Sequence, residues 1–339
     1  MLSSLECVRQ MLCGTALSAG NDLIAVISPG ITTLNIGDQI ISEAVALELH
    51  DLFPQKYLVP FSSHAGFRKN ARNLFNRCSL RFWGGANMLD HRLLPLNNYS
   101  PDIPLLESFF FEPSLLLGVG NGNCADQPFN STARLFYKRM LSRSGLHSVR
   151  DRKTLSSLRE LGFDNVICTG CPTTWRLTPE KCRRIPVERA ADVIFTLTDY
   201  RTDPEADRNF VRLLEECYSH LCFFPQGAGD INYLRGLGLM DGRITCIPSS
   251  LSSFDAMLSP GKVDYVGTRL HGGIRAMQKG CRALILGIDN RAADIRSDID
   301  LPMVFRGDAA GIRNRICNPE PCVLNIDFDA IEAWKRQFR

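Results

Sequence analysis

One stretch places an arginine and a histidine where both could act on a small anion. It runs Val263-Asp264-Tyr265-Val266-Gly267-Thr268-Arg269-Leu270-His271-Gly272-Gly273-Ile274-Arg275. The apolar run to Val266 reads as a strand, and the spacing of Ile274 and Met277 predicts a helix that ends by Gly280. Arg269 and His271 therefore leave a strand at the start of a helix, with Gly272 allowing close approach. Arginine offers a two-pronged donor for carboxylate or phosphate, and histidine is the side chain best suited to moving protons near neutral pH. Three further stretches carry the same kind of chemistry. Ser148-Val149-Arg150-Asp151-Arg152 puts Arg150 beside Asp151, a residue suited to cap the following helix, so that Arg150 is open either to an anion or to an ion pair. Gly287-Ile288-Asp289-Asn290-Arg291-Ala292 brings Arg291 to the end of another apolar run, again as an anion ligand or a salt-bridge partner. Asn35-Ile36-Gly37-Asp38 precedes apolar positions Ile40, Ile41, Ala44 and Leu47, with Asp38 placed to cap that helix and Asn35 and Gly37 placed to hold a substrate. Gly84 and Gly85, directly after the apolar Leu80–Trp83 run, remove side chains where a ligand or a neighbouring backbone would come close.

These stretches need a scaffold that presents strand ends and helix starts on one edge. Short apolar runs alternate with helical patterns along most of the 339 residues, the pattern of an α/β protein with parallel sheets. Strands are expected at Leu23–Ser28, Leu80–Trp83, Ser114–Val119 and Val166–Cys168, then at Asp192–Leu197, Leu221–Pro225, Val263–Val266 and Ala283–Ile288. The polar, proline-containing stretch 178–191 reads as a linker between the two series. The expected organisation is one Rossmann-like domain over 20–178, a second over 190–322, and a C-terminal helix within 323–339. Ligands of open parallel sheets bind beyond the carboxyl ends of the strands, so a cleft between two such sheets is the expected site.

Composition narrows the partners. A net charge of +3 is too small to imply nucleic acid, and the excess of arginine (31) over lysine (8) suits bidentate anion binding. No run of about 18 apolar residues occurs, and Glu6 and Arg9 interrupt the block a secretory signal would need, so a cytoplasmic protein is expected. Thirteen cysteines, an odd number, read as free thiols, and the single C-x-x-C pair at Cys168 and Cys171 has no second pair to complete a zinc site. No metal is expected. Phe67, Ala71, Leu74, Phe75 and Cys78 share one helical face, while Arg68, Lys69, Arg72, Arg77 and Arg81 crowd the remainder. Such a helix either packs with a solvated basic face or makes a peripheral contact with an anionic membrane, and the packed arrangement is preferred.

In order and spacing, N-I-G-D at 35–38, W-G-G at 83–85, S-V-R-D at 148–151, G-T-R-L-H-G at 267–272 and ALILGIDNRA at 283–292 resemble the polysaccharide pyruvyl transferase family over Pro29 to Ile295. The resemblance implies two Rossmann-like domains facing a cleft, similar to the GT-B glycosyltransferases. It also implies transfer of pyruvate from phosphoenolpyruvate to two hydroxyls of a sugar or lipid-linked oligosaccharide, as a cyclic ketal, with no cofactor beyond that donor. At one place the chain departs from the family. Where the family commonly has Asp-Pro after the Val166 strand, this chain has Thr169-Gly170 leading into Cys171-Pro172. On this reading Arg150, Arg269 and Arg291 grip the donor, His271 moves protons with Arg269 beside it, and Asn35, Gly37, Asp38, Gly84, Gly85 and Gly272 line the substrate site. A glycosyltransferase using a nucleotide sugar, or a non-catalytic glycan or anion binder, would share the cleft.

Overall fold

The computed structural model describes residues 22–95, 101–122, 126–240, 242–288 and 298–339. The chain forms two parallel sheets. In the first half the strands are β1 (Leu23–Ser28), β2 (Tyr57–Ser62), β3 (Leu80–Gly84), β4 (Asn87–Leu89), β5 (Leu115–Leu117), β6 (Gly120–Asn121), β7 (His147–Val149) and β8 (Val166–Cys168). The main sheet has the order β2-β1-β3-β5. The parallel pair β7–β8 continues it, because the amide of Gly118 donates to Ser148 O at 3.0 Å and that of Arg150 to Val119 O at 3.0 Å. The second half holds β9 (Asp192–Thr196), β10 (His220–Phe223), β11 (Ile244–Cys246), β12 (Val263–Gly267), β13 (Ala283–Gly287) and β14 (Met303–Phe305), in the order β11-β10-β9-β12-β13-β14. Its pairs are all parallel, and β12 and β13 are buried along their whole length, which is why both read as near-continuous apolar runs.

The expected strands recur in the structure; the short strands β4, β6 and β7 were also not expected, and the other three missing strands share a cause. β2, β11 and β14 lie at sheet edges, where one flank meets solvent and the apolar signal thins. β2 also contains Pro60, which an edge strand tolerates. The expected Ser114–Val119 strand is shorter. It stops at Leu117 because Gly118 takes φ +63 and packs with no room for a side chain against Pro172, after which β6 pairs with β4 instead.

The stretch 178–191 is docked rather than loose. Thr178 caps the short helix Pro179–Arg183, and Cys182 and Ile185 are buried in the largest core cluster. That cluster runs through both halves. It joins Val26 and Phe82 of the first sheet, Ile41 and Val45 of the helix Ile36–Leu52, Ile274 and Met277 of the helix Leu270–Gln278, and Tyr265 and Ile285 of the second sheet. The basic helix, Lys69–Arg77, spends its apolar face inside the protein: Phe75 is fully buried and stacks edge-on to Phe61, Phe67 and Phe111. No helix among the described residues is long and apolar enough to cross a membrane.

The final helix, Phe328–Arg336, is capped by Asp327 and returns to the first half. Trp334 is fully buried, with ring centroids 6.2 Å from Phe82 and 5.7 Å from Trp175, and the side chain of Gln337 bonds the backbone of Leu146. Trp334→Ala is expected to cost about 3–5 kcal/mol through the cavity it leaves, read as a lowered urea midpoint. A change within a few tenths of a kcal/mol would show that this helix is not part of the fold's core.

Candidate active site

The turn from β12 into the helix Leu270–Gln278 is built by side chains. The Tyr265 hydroxyl donates to Arg269 O at 2.7 Å, and the Arg269 amide donates to Thr196 Oγ1 at 3.2 Å. Arg269 is buried, and most of its fork is occupied. Nε donates to Asp230 Oδ2 at 3.1 Å, while Nη2 binds Asp230 Oδ1 and donates to Asp199 Oδ1 at 3.0 Å. Gly227 is needed here, because a Cβ at that position would lie 2.3 Å from Arg269 Nη2. Nη1 makes no hydrogen bond among the described residues. His271 follows in the first turn of the helix, where unpaired N–H groups and the helix dipole favour an anion.

Arg150 reaches the same place from the first half. It follows β7, lies flat over Gly120 and binds Asn87 Oδ1. A Cβ on Gly120 would meet its guanidinium at 2.6 Å. The adjacent Asp151 is a helix cap, accepting from the Thr154 amide and hydroxyl, both at 2.7 Å. Its second oxygen stands 3.7 Å from Arg150 Nε, so Arg150 is less closely neutralised by acids than Arg269.

The opposite wall is the start of the helix Ile36–Leu52. Asn35, not Asp38, caps this helix: its Oδ1 accepts from Gly37 N at 3.0 Å. The expectation misplaced the cap because Asp38 sits inside the first turn, where its side chain instead accepts from Thr33 Oγ1 at 2.6 Å. Burial pushes the Asp38 carboxyl above its ordinary range, and the Thr33 hydroxyl offsets part of that.

These walls enclose a cavity of about 310 Å³ lined by Asn35, Asp38, Asn87, Arg150, Gln226, Arg269 and His271, with His64 and Tyr200 at its margin. His271 also borders a smaller hollow, with Cys171 Sγ 3.8 Å from its Nε2. Burial, and after it the Arg150 guanidinium, brings the His271 imidazole down from 6.5 to about 3, so the ring is neutral in the empty cleft.

Residues 35–290 match the family model described as polysaccharide pyruvyl transferase. The chain belongs to that family. No curated protein sequence matches it. Among solved structures it is similar to the S. aureus MnaA–UDP complex, at 9% identity and TM-score 0.49 over 92% of this chain and 94% of that one. It is also similar to a Methanocaldococcus jannaschii UDP-GlcNAc 2-epimerase bound to UDP-GlcNAc and UDP, at 8% identity and TM-score 0.46 over 93% and 98%. A third is the apo lipopolysaccharide outer core galactosyltransferase WaaB, at 10% identity and TM-score 0.45 over 93% and 95%.

In this pyruvyl transferase family member the structure brings Asn35, Asp38, Arg150, Arg269 and His271 to one cavity. The four glycines expected there lie behind it. Gly84 and Gly85 let the helix Ile36–Leu52 pack on the sheet: a Cβ would meet Val45 Cγ1 at 2.9 Å and Ile41 Cγ2 at 2.2 Å respectively. Gly37 packs against Gln226 and Asn35, and Gly272 against Tyr265 and Gln226. Arg291 lies outside the described residues. Sequence reasoning missed Gln226, Asp230 and Asp199. The stretch that holds the first two, Gln226-Gly227-Ala228-Gly229-Asp230, carried a signal in its two glycines and its acid after the expected Leu221–Pro225 strand, and Asp199 follows the expected Asp192–Leu197 strand. Among the described residues no group of three or more histidine, cysteine or acidic side chains is placed to hold a metal.

Asp230→Ala strands the buried Arg269 charge. It is expected to destabilise the protein by about 3–5 kcal/mol in urea denaturation, and a loss under 1 kcal/mol would contradict the role given to this pair. The depressed His271 imidazole, joined by His147 at about 4, makes the unfolded chain the stronger proton binder below pH 6.5. Stability therefore falls as pH drops from 6.5 toward about 4. His271→Gln should shallow that slope in denaturation midpoints taken across this range, and an unchanged slope would contradict a neutral ring.

Proposed function

We propose that the cleft transfers the pyruvyl group of phosphoenolpyruvate onto two hydroxyls of a sugar, free or on a lipid-linked oligosaccharide, forming a cyclic ketal and releasing phosphate. The reading is supported above all by one juxtaposition. A neutral imidazole, a guanidinium with charge to spare and a helix N-terminus meet on one side of a cavity, and a carboxyl raised by burial lies on the other. The donor carries a carboxylate and a phosphate close together, which suits Arg150, the free edge of Arg269 and the first-turn amides of the helix Leu270–Gln278.

The chemistry divides among these groups. C3 of the donor gains a proton and C2 becomes electrophilic. One sugar hydroxyl adds to C2 and gives up its proton, the C2–O bond to phosphate breaks, and the second hydroxyl closes the ring with loss of its proton. His271 is assigned the donation to C3, once charged, and Asp38 the acceptance of a hydroxyl proton across the cavity. Asn35 orients the wall that carries Asp38. The balance is donor plus diol giving ketal plus inorganic phosphate, with no redox step.

Phosphate release from phosphoenolpyruvate in the presence of glycan acceptors tests the assignment. His271→Gln is expected to lower kcat by about 10²–10⁴-fold, and Arg150→Ala to raise KM for phosphoenolpyruvate with a smaller effect on the acceptor. Phosphate release that persists undiminished in His271→Gln would overturn the mechanism.

A further inference from the structure

Three charge-bearing features surround His271, and the side chain that touches its Nε2 bears none. Cys171 is buried, its Sγ stands 3.8 Å from His271 Nε2, and the Thr173 hydroxyl donates to that sulfur at 3.1 Å. Thr173 itself is anchored, its carbonyl accepting from Gln278 Nε2 at 2.5 Å, so the cysteine loop is tied to the helix that carries His271. With the sulfur accepting from Thr173, the thiol hydrogen is free to point at Nε2, which leaves the ring proton on Nδ1.

We propose that Cys171 is a positioning residue that holds His271 uncharged in the empty cleft, so that binding of an anionic donor draws one proton from solvent onto the ring. The inference rests on the assignment of the donor anion to Arg150. Each element packed around the ring contributes to it. Burial acts first against a positive imidazole; Arg150, at the end of β7, adds to it, as does the N-terminal end of the ring's own helix. Arg269, two residues away, is already held by Asp230 and Asp199. Of the nearby acids, Asp151 caps its helix and Asp298, beside the small hollow, stands 3.8 Å from Arg152. Asp38 lies on the far wall, hydrogen-bonded by Thr33, and His64 stands at the margin. No carboxylate among the described residues makes a hydrogen bond to His271. A carboxylate in place of the thiol would accept from Nε2–H and charge the ring beforehand, and it would also repel the donor. With the neutral thiol, the charge arrives only with the anion, which cancels the repulsion from Arg150 and adds attraction of its own. The proton comes from water and no covalent bond changes. The acid that C3 protonation needs is thus loaded by the substrate it will act on.

Calorimetric titration of the full chain tests this, with phosphoenolpyruvate and separately with inorganic phosphate. Each titration is run in two buffers of different ionisation enthalpy, at a pH where the free phosphoenolpyruvate is fully ionised. Wild type is expected to take up a measurable fraction of a proton per phosphoenolpyruvate bound, and His271→Gln to bind with that uptake lost. Cys171→Ser should keep the uptake, while Cys171→Asp should lose most of it and bind roughly tenfold more weakly. Nitrogen-15 spectra of the wild-type ring check the resting state without any substitution, expecting a neutral Nδ1–H form at neutral pH. Binding without proton uptake, uptake in Cys171→Asp equal to wild type, or a ring already charged in the empty protein each overturn the proposal. Failure of both ligands to bind wild type would overturn the anion assignment itself, an outcome distinct from the other three.

Discussion

The contact on which the site depends is the one between the helices Ile36–Leu52 and Leu270–Gln278, one from each half. Arg275, buried in the second helix, donates to Asp255 at 2.7 Å and to Glu43 of the first at 3.1 Å. Pulling the halves apart would strip a buried guanidinium of one of its carboxylates, a costly change. Backbone pairing closes the same seam, since Ile36 N donates to Gln226 O and Ala228 N to Leu34 O, both at 2.9 Å. Both helices begin at strand ends, so holding them together brings their first turns, and with them Asn35, Asp38 and His271, onto one cavity.

Within that frame the charges are graded. Arg269 is neutralised by Asp230 and Asp199 and shapes the strand-to-helix turn. Arg150, with an Asp151 oxygen 3.7 Å from its Nε, is less neutralised, and its field adds to burial in disfavouring a charge on the neighbouring imidazole. A low-dielectric cleft magnifies such differences, because little water stands between the groups to screen them. Two arginines of one sequence type thus do different work, decided by which acids the fold brings beside each.

Much of this was legible in the residues. β1 falls on its expected bounds, and β9, β12 and β13 within a residue or so, because a strand buried on both faces must be apolar throughout and says so locally. Edge strands such as β2 carry Pro60 and an exposed Tyr57, and their identity comes from the neighbour they pair with. The stretch 178–191 shows the same limit. Its polar, proline-containing composition reads as a linker and does not show that Cys182 and Ile185 are buried, because burial depends on what the segment lies against.

The alternation that builds parallel sheets, the family, and the junctions that deliver Arg150, Arg269 and His271 to strand ends are written locally in the chain, since each follows from periodicity or from motifs a few residues long. Folding in three dimensions settles that Asn35 rather than Asp38 caps its helix, that Gly84, Gly85 and Gly272 serve packing, that Arg269 is paired with Asp230, and that Cys171 lies against His271. Those outcomes rest on contacts between residues from about 40 to 100 positions apart, or on which competing oxygen reaches an amide first. Electrostatic and steric terms of that kind fall off within a few ångströms in space and leave no periodic trace along the chain.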